Sequence, residues 1–343
     1  MKQPHWPNVL PRLPRCLGLA LAIFLVAGAT TLSAATLDEV RSRGVLNCGV
    51  SEGLAGFSSR NADGTWSGFD VDYCRAVAAA VFGDPEKIAF VPLSATARFD
   101  ALTSKKIDVL SRNTTWTMER DVLRGFEFIG VSYYDGQGFM TRRANGLSST
   151  LQLGRASICV LDGTTAQTNA ERYFERNAIK VEFKSFKDRS ALIKAYDSGD
   201  CLAYSADRSG LASDRTRMRQ PDEHMLLPEV ISKEPLGPLV RDGDAQWADI
   251  TRWVLFLLIN AEEVGWTQHA ASKPALATAI SPETGASAAV GLDPAWFETV
   301  IKAVGNYGEI FARNIGQESP LGLDRGINAL WNQGGILYAP PMR

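Results

Sequence analysis

Histidine is scarce in this chain, with three residues in 343: His5, His224 and His269. None has a telling neighbourhood, so a histidine-based catalytic triad or metal site has little to build on. The five cysteines form no C-x-x-C pair, which removes the usual zinc and thioredoxin signatures. There is no G-x-x-x-x-G-K loop for nucleotide phosphates. Basic residues do not outnumber acidic ones (36 against 38), which argues against nucleic acid as a partner. Long apolar runs are missing too. Cys16–Ala29 and Trp253–Ile259 both fall short of the roughly 20 residues that a membrane-spanning helix needs.

What is present begins with an export signal. Lys2, Arg12 and Arg15 precede the Cys16–Ala29 run, and the small residues of TTLSAAT follow it. That order predicts a secretory leader over residues 1–35, cut after Ala35. Cys16 stands at the start of the apolar run and not at its end, so it does not mark a lipid anchor. Removing those three basic residues changes the balance from 36:38 to 33:38, a net charge of −5 on a mature chain that does not span a membrane. Cys48, Cys74, Cys159 and Cys201 remain. An even number in an exported chain favours disulfides, with three pairings open. The 45% hydrophobic content is enough for two domains or one large one.

The pattern alternates short apolar runs with amphipathic ones. VLNCGV reads as a strand, and VDYCRAVAAAVFG as a helix capped by Asp70 or Asp72. IAFVPL, ATARFDALTSKK and IDVLS continue as strand, helix and strand. The alternation restarts at SICVLD and runs through TTAQTNAERYFERN, VEFKSF, DRSALIKAYDSG and CLAYSAD. Two such α/β units in series predict two lobes, each on a largely parallel sheet. The extended pieces GQGFMTRR (136–143) and EPLGPLVR (234–241) are the candidate crossings between lobes, and the tail from Asp244 is helical.

Ligands of open α/β sheets bind beyond the carboxyl ends of the strands. Three stretches lie there: RNTTWTMER after IDVLS, GTTAQ after SICVLD, and Asp207 at the end of CLAYSAD. The ordinary reading of each is a helix cap. Together they offer more. Glycine and hydroxyls at helix starts present free N–H groups to an anion, Arg120 supplies a fork for a carboxylate, and Asp207 supplies the opposite charge. A cleft built this way suits a zwitterion. Trp116 is a candidate either for stacking on a ligand or for filling the cleft wall. Gly49–Gly53 matches G-x-S-x-G, but the turn-rich LAGFSSRNADGTW follows where a nucleophile elbow needs a helix.

At these residues the chain resembles the periplasmic amino-acid-binding proteins of polar amino-acid ABC transporters, nearest the general L-amino-acid branch. The likeness runs through CGVSEGLAGFS, WSGFDVDYCRAVAAAVFGD, SRNTTWTMERD, YYDGQGFM, CVLDGTTAQ, PEVISKEPLGPLVRDGDAQWADI, IKAVGNYGEIFARN and RGINALWNQGGILYAPP. It implies a two-lobe α/β periplasmic-binding-protein fold of type II, with two hinge strands and a helical C-terminal extension on the first lobe. The implied bounds are 36–140 for the first part of lobe 1, 141–236 for lobe 2, and 237–343 for the return to lobe 1 and the extension. Carried over by position, Arg120 would grip the ligand carboxylate with Thr115 and the backbone of Asn113. Thr165 would add a carboxylate or backbone contact, Asp207 would take the α-ammonium, and Ser51 and Leu54 would line the side-chain pocket. Gln167 stands where the family often has glutamate, and LAYSAD is less polar than usual; both bear on side-chain preference. A cleft that must open implies bridges within lobes, Cys159–Cys201 and Cys48–Cys74. The implied role is that of a monomeric periplasmic component of a Gram-negative importer. It would capture L-amino acids for permease subunits driven by a separate ATPase, with no cofactor and no metal. A periplasmic enzyme on the same fold, cyclohexadienyl dehydratase-like, or an amino-acid-sensing receptor subunit are the alternatives.

Overall fold

Helix α1 (Thr36–Arg43) leads into strand β1 (Leu46–Ser51), and a small hairpin of β2 (Ser59–Arg60) and β3 (Trp66–Ser67) precedes α2 (Phe69–Phe82). Then come β4 (Ile88–Leu93), α3 (Arg98–Thr103), β5 (Val109–Leu110) and β6 (Phe126–Phe128), with a π-helical turn at Glu119–Leu123 between the last two. The computed structural model describes His5 and residues 35–342, so the expected leader over 1–35 lies outside the described residues apart from His5 and Ala35.

The second unit begins with the long strand β7 (Tyr133–Arg142) and continues through β8 (Ser157–Leu161), α4 (Ala166–Arg176), β9 (Glu182–Phe186), α5 (Arg189–Ser198), β10 (Ala203–Asp207) and α6 (Arg208–Arg215). Strands β11 (His224–Leu226), β12 (Ser232–Leu236) and β13 (Leu239–Arg241) follow, and the tail folds as α7 (Ala245–Glu263), α8 (Pro274–Ile280), α9 (Ala286–Ala289), α10 (Trp296–Val304) and α11 (Tyr307–Asn314).

Two sheets result, in the orders β4-β1-β5-β13-β6 and β11-β7-β10-β8-β9, with β12 paired to β7. Each is mixed rather than largely parallel. The βαβ strands are parallel, as β1 is with β4 and β5, and β8 with β9 and β10. The connecting strands enter antiparallel, as β13 does against β5 and β6, and β7 against β10. The reason is topological: a chain leaving one lobe and returning must run back along the sheet it rejoins.

The first lobe's core joins Val50, Val77 and Leu258 to Trp266 and Val300, so the C-terminal helices bury their apolar faces on the first α/β unit. No helix among the described residues is long and apolar enough to cross a membrane. The Trp253–Ile259 run lies inside α7, whose Val254, Leu255 and Leu258 are buried. The second lobe has clusters on each face of its sheet, around Leu192 and Tyr204 and around Phe139 and Phe174.

The two sheets meet at a narrow double crossing. β7 and β12 pair from Tyr133–Leu236 to Gln137–Ser232, and Ser132 N–H donates to Leu236 O at 2.8 Å. Just beyond, a Cβ at Gly237 would lie 2.0 Å from the Gly130 carbonyl oxygen, so only glycine permits the two strands to come this close.

Both disulfides fall within a lobe, as Cys48–Cys74 and Cys159–Cys201. The second closes a 42-residue separation. In the chain-entropy account such a bridge stabilises by about 3–4 kcal/mol. Replacing Cys159 and Cys201 together by serine should therefore lower the unfolding free energy from urea titration by that much, and a loss below about 1 kcal/mol contradicts the account.

Candidate functional site

Asp70 explains how the loop after β5 is held. The expectation that Asp70 or Asp72 caps α2 fails: Gly68 is the N-cap and neither carboxylate closes the helix. Asp70 reaches across instead, accepting from Ser111 Oγ at 2.8 Å and from Asn113 N at 3.2 Å. Asp72 accepts from Arg313 and from Asn314 in α11. Asn113 sits at φ +32°, a strained conformation that Asp70 pins. Burial pushes the Asp70 carboxyl up to about 6, against the pull of Ser111 and Asn113.

The loop so fixed lines one wall of a cavity between the lobes, of about 420 Å³ including its mouth. From the first lobe come Arg98, Arg112, Asn113, Thr115 and Arg120; from the second come Thr165, Arg189 and Asp207. Arg120 is 5% exposed and lies on the π-helical turn, a bulge common at functional sites. Its Nη1 donates to Thr115 O at 2.8 Å and its guanidinium lies over the Phe99 ring at 5.4 Å. The Arg120 amide N–H donates to Thr117 Oγ1, so the cap reading of this stretch holds alongside its place in the cavity wall. Asp207 is the N-cap residue of α6 yet makes no cap bond, and no hydrogen bond among the described residues reaches its carboxylate. Burial raises that carboxyl well above the usual range, helped by Asp135 and Glu234 and opposed by Arg189 and Arg98.

Thr115 and Thr165 meet through a residue absent from the expected set. Glu234, on β12 and 1% exposed, accepts from Thr115 Oγ1 at 2.7 Å and Thr165 Oγ1 at 3.0 Å on one oxygen. Its other oxygen accepts from Asn169 Nδ2 at 2.7 Å and from Ser232 Oγ. Thr165 is the N-cap residue of α4 but spends no hydroxyl on the helix; Ala166 N–H donates to Thr164 Oγ1 at 3.3 Å, and among the described residues no side chain takes the N–H groups of Gln167 and Thr168, which stay open to an anion. Arg98 also spans the lobes, donating to Thr114 Oγ1 at 3.3 Å and to Gly163 O at 3.0 Å.

Five expected residues thus line one cavity: Asn113, Thr115, Arg120, Thr165 and Asp207. The Asn113 N–H, expected to face a ligand carboxylate, is directed to Asp70. Three residues lie elsewhere. Ser51 lines an adjoining chamber. Leu54 is fully buried in the first lobe's core, tied to Ser58 through both backbone groups, so it cannot line the cleft. Trp116 stacks on Phe128 at 5.3 Å and donates through Nε1 to Asp121, so it fills the wall instead of meeting a ligand. The G-x-S-x-G match assembles no triad: Ser51 N–H donates to Ser58 Oγ, while His224 is buried against Tyr196 in the other lobe and His269 is exposed. Among the described residues no group of three His, Cys, Asp or Glu side chains is placed to hold a metal ion.

Sequence reasoning missed Arg98, Arg112, Arg189 and Glu234. Arg112 had a usable signal, since it stands just past the carboxyl end of β5 where ligands bind. Glu234 lay in the segment read only as a crossing. Arg98 and Arg189 begin helices and are indistinguishable in sequence from exposed helix charges.

The family model for bacterial extracellular solute-binding proteins, family 3, matches residues 46–268. The chain is similar to the general L-amino acid-binding periplasmic protein AapJ of Rhizobium johnstonii, 51% identical over 94% of this chain and 97% of that one. It is also similar to the glutamate/glutamine/aspartate/asparagine-binding protein BztA of Rhodobacter capsulatus, 46% identical over 93% of this chain and 96% of that one. Among solved structures, a periplasmic binding protein of an ABC transporter from Brucella ovis, with glutathione bound, superposes with a TM-score of 0.88 at 50% identity. It covers 90% of this chain and all of its own.

The buried carboxyls set a pH dependence of stability. Asp70 and Asp135 are both held up to about 6 by burial, against an ordinary 3.8. Between these values the folded chain holds protons that the unfolded chain has released, so stability falls as pH rises from about 4 to about 6. Asp207 is shifted in the same direction and carries the loss further. Asp70→Asn should flatten that slope in urea titrations at pH 4, 5, 6 and 7, and an unchanged slope contradicts the assignment.

Proposed function

The chain belongs to the bacterial extracellular solute-binding proteins, family 3, and we propose on that premise that it captures L-amino acids between its lobes and delivers them to an ABC-type permease. One observation carries the reading: a buried guanidinium and a carboxylate with no hydrogen-bond partner among the described residues, from different lobes, face one cavity. Arg120 takes the α-carboxylate with the open N-terminus of α4, and Asp207 takes the α-ammonium. Thr115 and Thr165 direct their protons to Glu234, so their oxygen lone pairs remain for the ammonium.

In the organisation we propose, residues 1–35 are removed on export to the periplasm. Residues 36–140 and 237–343 form the first lobe with its helical extension, and residues 141–236 form the second. Ligand bridges the lobes and stabilises their closed arrangement, which docks as a monomer on permease subunits powered by a separate ATPase. The names of the relatives support a broad amino-acid repertoire. The glutathione of the Brucella ovis structure keeps a free α-amino and α-carboxyl group on one carbon, which fits an anchor that reads the shared backbone. Arg112 and Arg189, at the far end of the cavity, favour side chains that bring an oxygen acceptor. Among the described residues that line the cavity, Asp207 is the one carboxylate and no histidine or cysteine is present, so the ligand should be recovered unchanged.

Calorimetry tests the anchors. Arg120→Lys loses the planar fork, and Asp207→Asn leaves the ammonium without a counter-charge. Removing one partner of a buried charge pair costs on the order of 2–5 kcal/mol, so affinity should fall roughly 30-fold or more for every amino acid. Parent-like affinity in both variants sinks the reading. Loss confined to one amino acid reassigns these residues to side-chain selection.

A further inference from the structure

A second chamber adjoins the cavity that holds the anchors. Arg112, Leu161 and Arg189 line both, and the second is of about 620 Å³ including its mouth. Arg112 comes from the first lobe and is 3% exposed. Its Nε donates to Leu93 O at 2.9 Å, and no hydrogen bond among the described residues occupies its two Nη atoms. Arg189, from the second lobe, gives Nη1 to Asp214 at 2.8 Å, and no hydrogen bond among the described residues occupies its Nη2. Two guanidinia with unmet donors therefore stand where the two chambers adjoin, and their mutual repulsion helps to depress Arg112. Such a pair calls for oxygen acceptors between them.

The second chamber is polar and carries an excess of positive charge. Lys187 and Arg217 join Arg112 and Arg189, against Glu52 and Asp188. The Asp188 carboxylate is already engaged, accepting from Ala191 N as the cap of α5. Arg217 closes one side of the mouth by donating to Gly53 O at 3.0 Å across the lobes.

Resting on the zwitterion reading above, the chemistry of an occupant of both chambers is constrained. The α-amino and α-carboxyl groups must sit on one carbon at Asp207 and Arg120. An α-linked peptide fails this, because its free amino and carboxyl groups belong to different residues. A side-chain-linked peptide meets it. We propose that the second chamber is a subsite for the extension of γ-glutamyl peptides and related side-chain amides, with the linking carbonyl between Arg112 and Arg189 and the terminal carboxylate beside Lys187. L-Glutamine and L-glutamate use the same anchors and leave the second chamber to water.

The test is calorimetry on the full protein with L-glutamine, γ-L-glutamylglycine and α-L-glutamylglycine. The first two should bind and the third should not. Lys187→Glu alters an exposed residue that the amino-acid anchor does not use. It should weaken γ-L-glutamylglycine about fivefold or more while L-glutamine stays within about twofold. Ser190→Trp, also exposed, should fill the chamber and exclude the peptide but not L-glutamine. Binding of L-glutamine without γ-L-glutamylglycine overturns the subsite and spares the zwitterion anchor. Peptide binding that neither variant disturbs places the extension elsewhere and also overturns it. Binding of none of the three overturns the anchor itself, and the subsite with it.

Discussion

One buried carboxylate joins the parts of this molecule that must act together. Glu234 sits on a hinge strand and accepts four hydrogen bonds: from Thr115 in the first lobe, from Thr165 and Asn169 in the second, and from Ser232 on its own strand. Hydrogen bonds to a charged group contribute about 1.5–3 kcal/mol each, and a buried donor left without its partner costs a comparable amount. These bonds tie both lobes to one group on the hinge strand. Glu234 also sets the polarity of the site, because it fixes which way the two threonine hydroxyls point.

The rest of the cleft is electrostatically unbalanced. Arg98, Arg112, Arg120 and Arg189 converge from the two lobes on a single lining carboxylate, Asp207, and Arg189 is paired with Asp214 behind the lining. Burial is the leading cause that depresses Arg98, Arg112 and Arg120, and repulsion among the guanidinia adds to it for Arg98 and Arg112. Closing the lobes thus concentrates positive charge around donors that lack acceptors. A zwitterion with further oxygen on its side chain supplies those acceptors only when the lobes are shut. That is the differential affinity a ligand needs to shift a hinge equilibrium.

Much of this was legible in the sequence, and what was missed has a physical reason. Periodicity placed both α/β units, because IAFVPL and SICVLD are short apolar runs bounded by turn formers, and the helices between them carry apolar stripes. Asp207 was legible because it ends β10, and Arg120 because it lies in the stretch that follows β5, the side of α/β sheets on which ligands bind. Glu234 was not, since an acid in EPLGP has no periodic signature and its four partners lie at separations of 2 to 119 residues. Leu54 was misplaced because position after a strand does not say which way a side chain turns; here a tight turn with Ser58 folds it into the core. The Asp70 and Asp72 caps failed for a related reason. Local propensity assigned them to α2, and tertiary partners at Ser111 and Arg313 took the carboxylates instead.

The central claim is that Glu234 holds the two lobes and the ligand-facing hydroxyls in one arrangement. Glu234→Gln tests it most directly, since the amide keeps the shape but has one acceptor oxygen where the carboxylate has two. Either the threonine pair or the Asn169–Ser232 pair must lose its acceptor. Calorimetry with L-glutamine on a folded Glu234→Gln protein should show affinity lowered about tenfold or more. Affinity equal to the parent's would contradict the account.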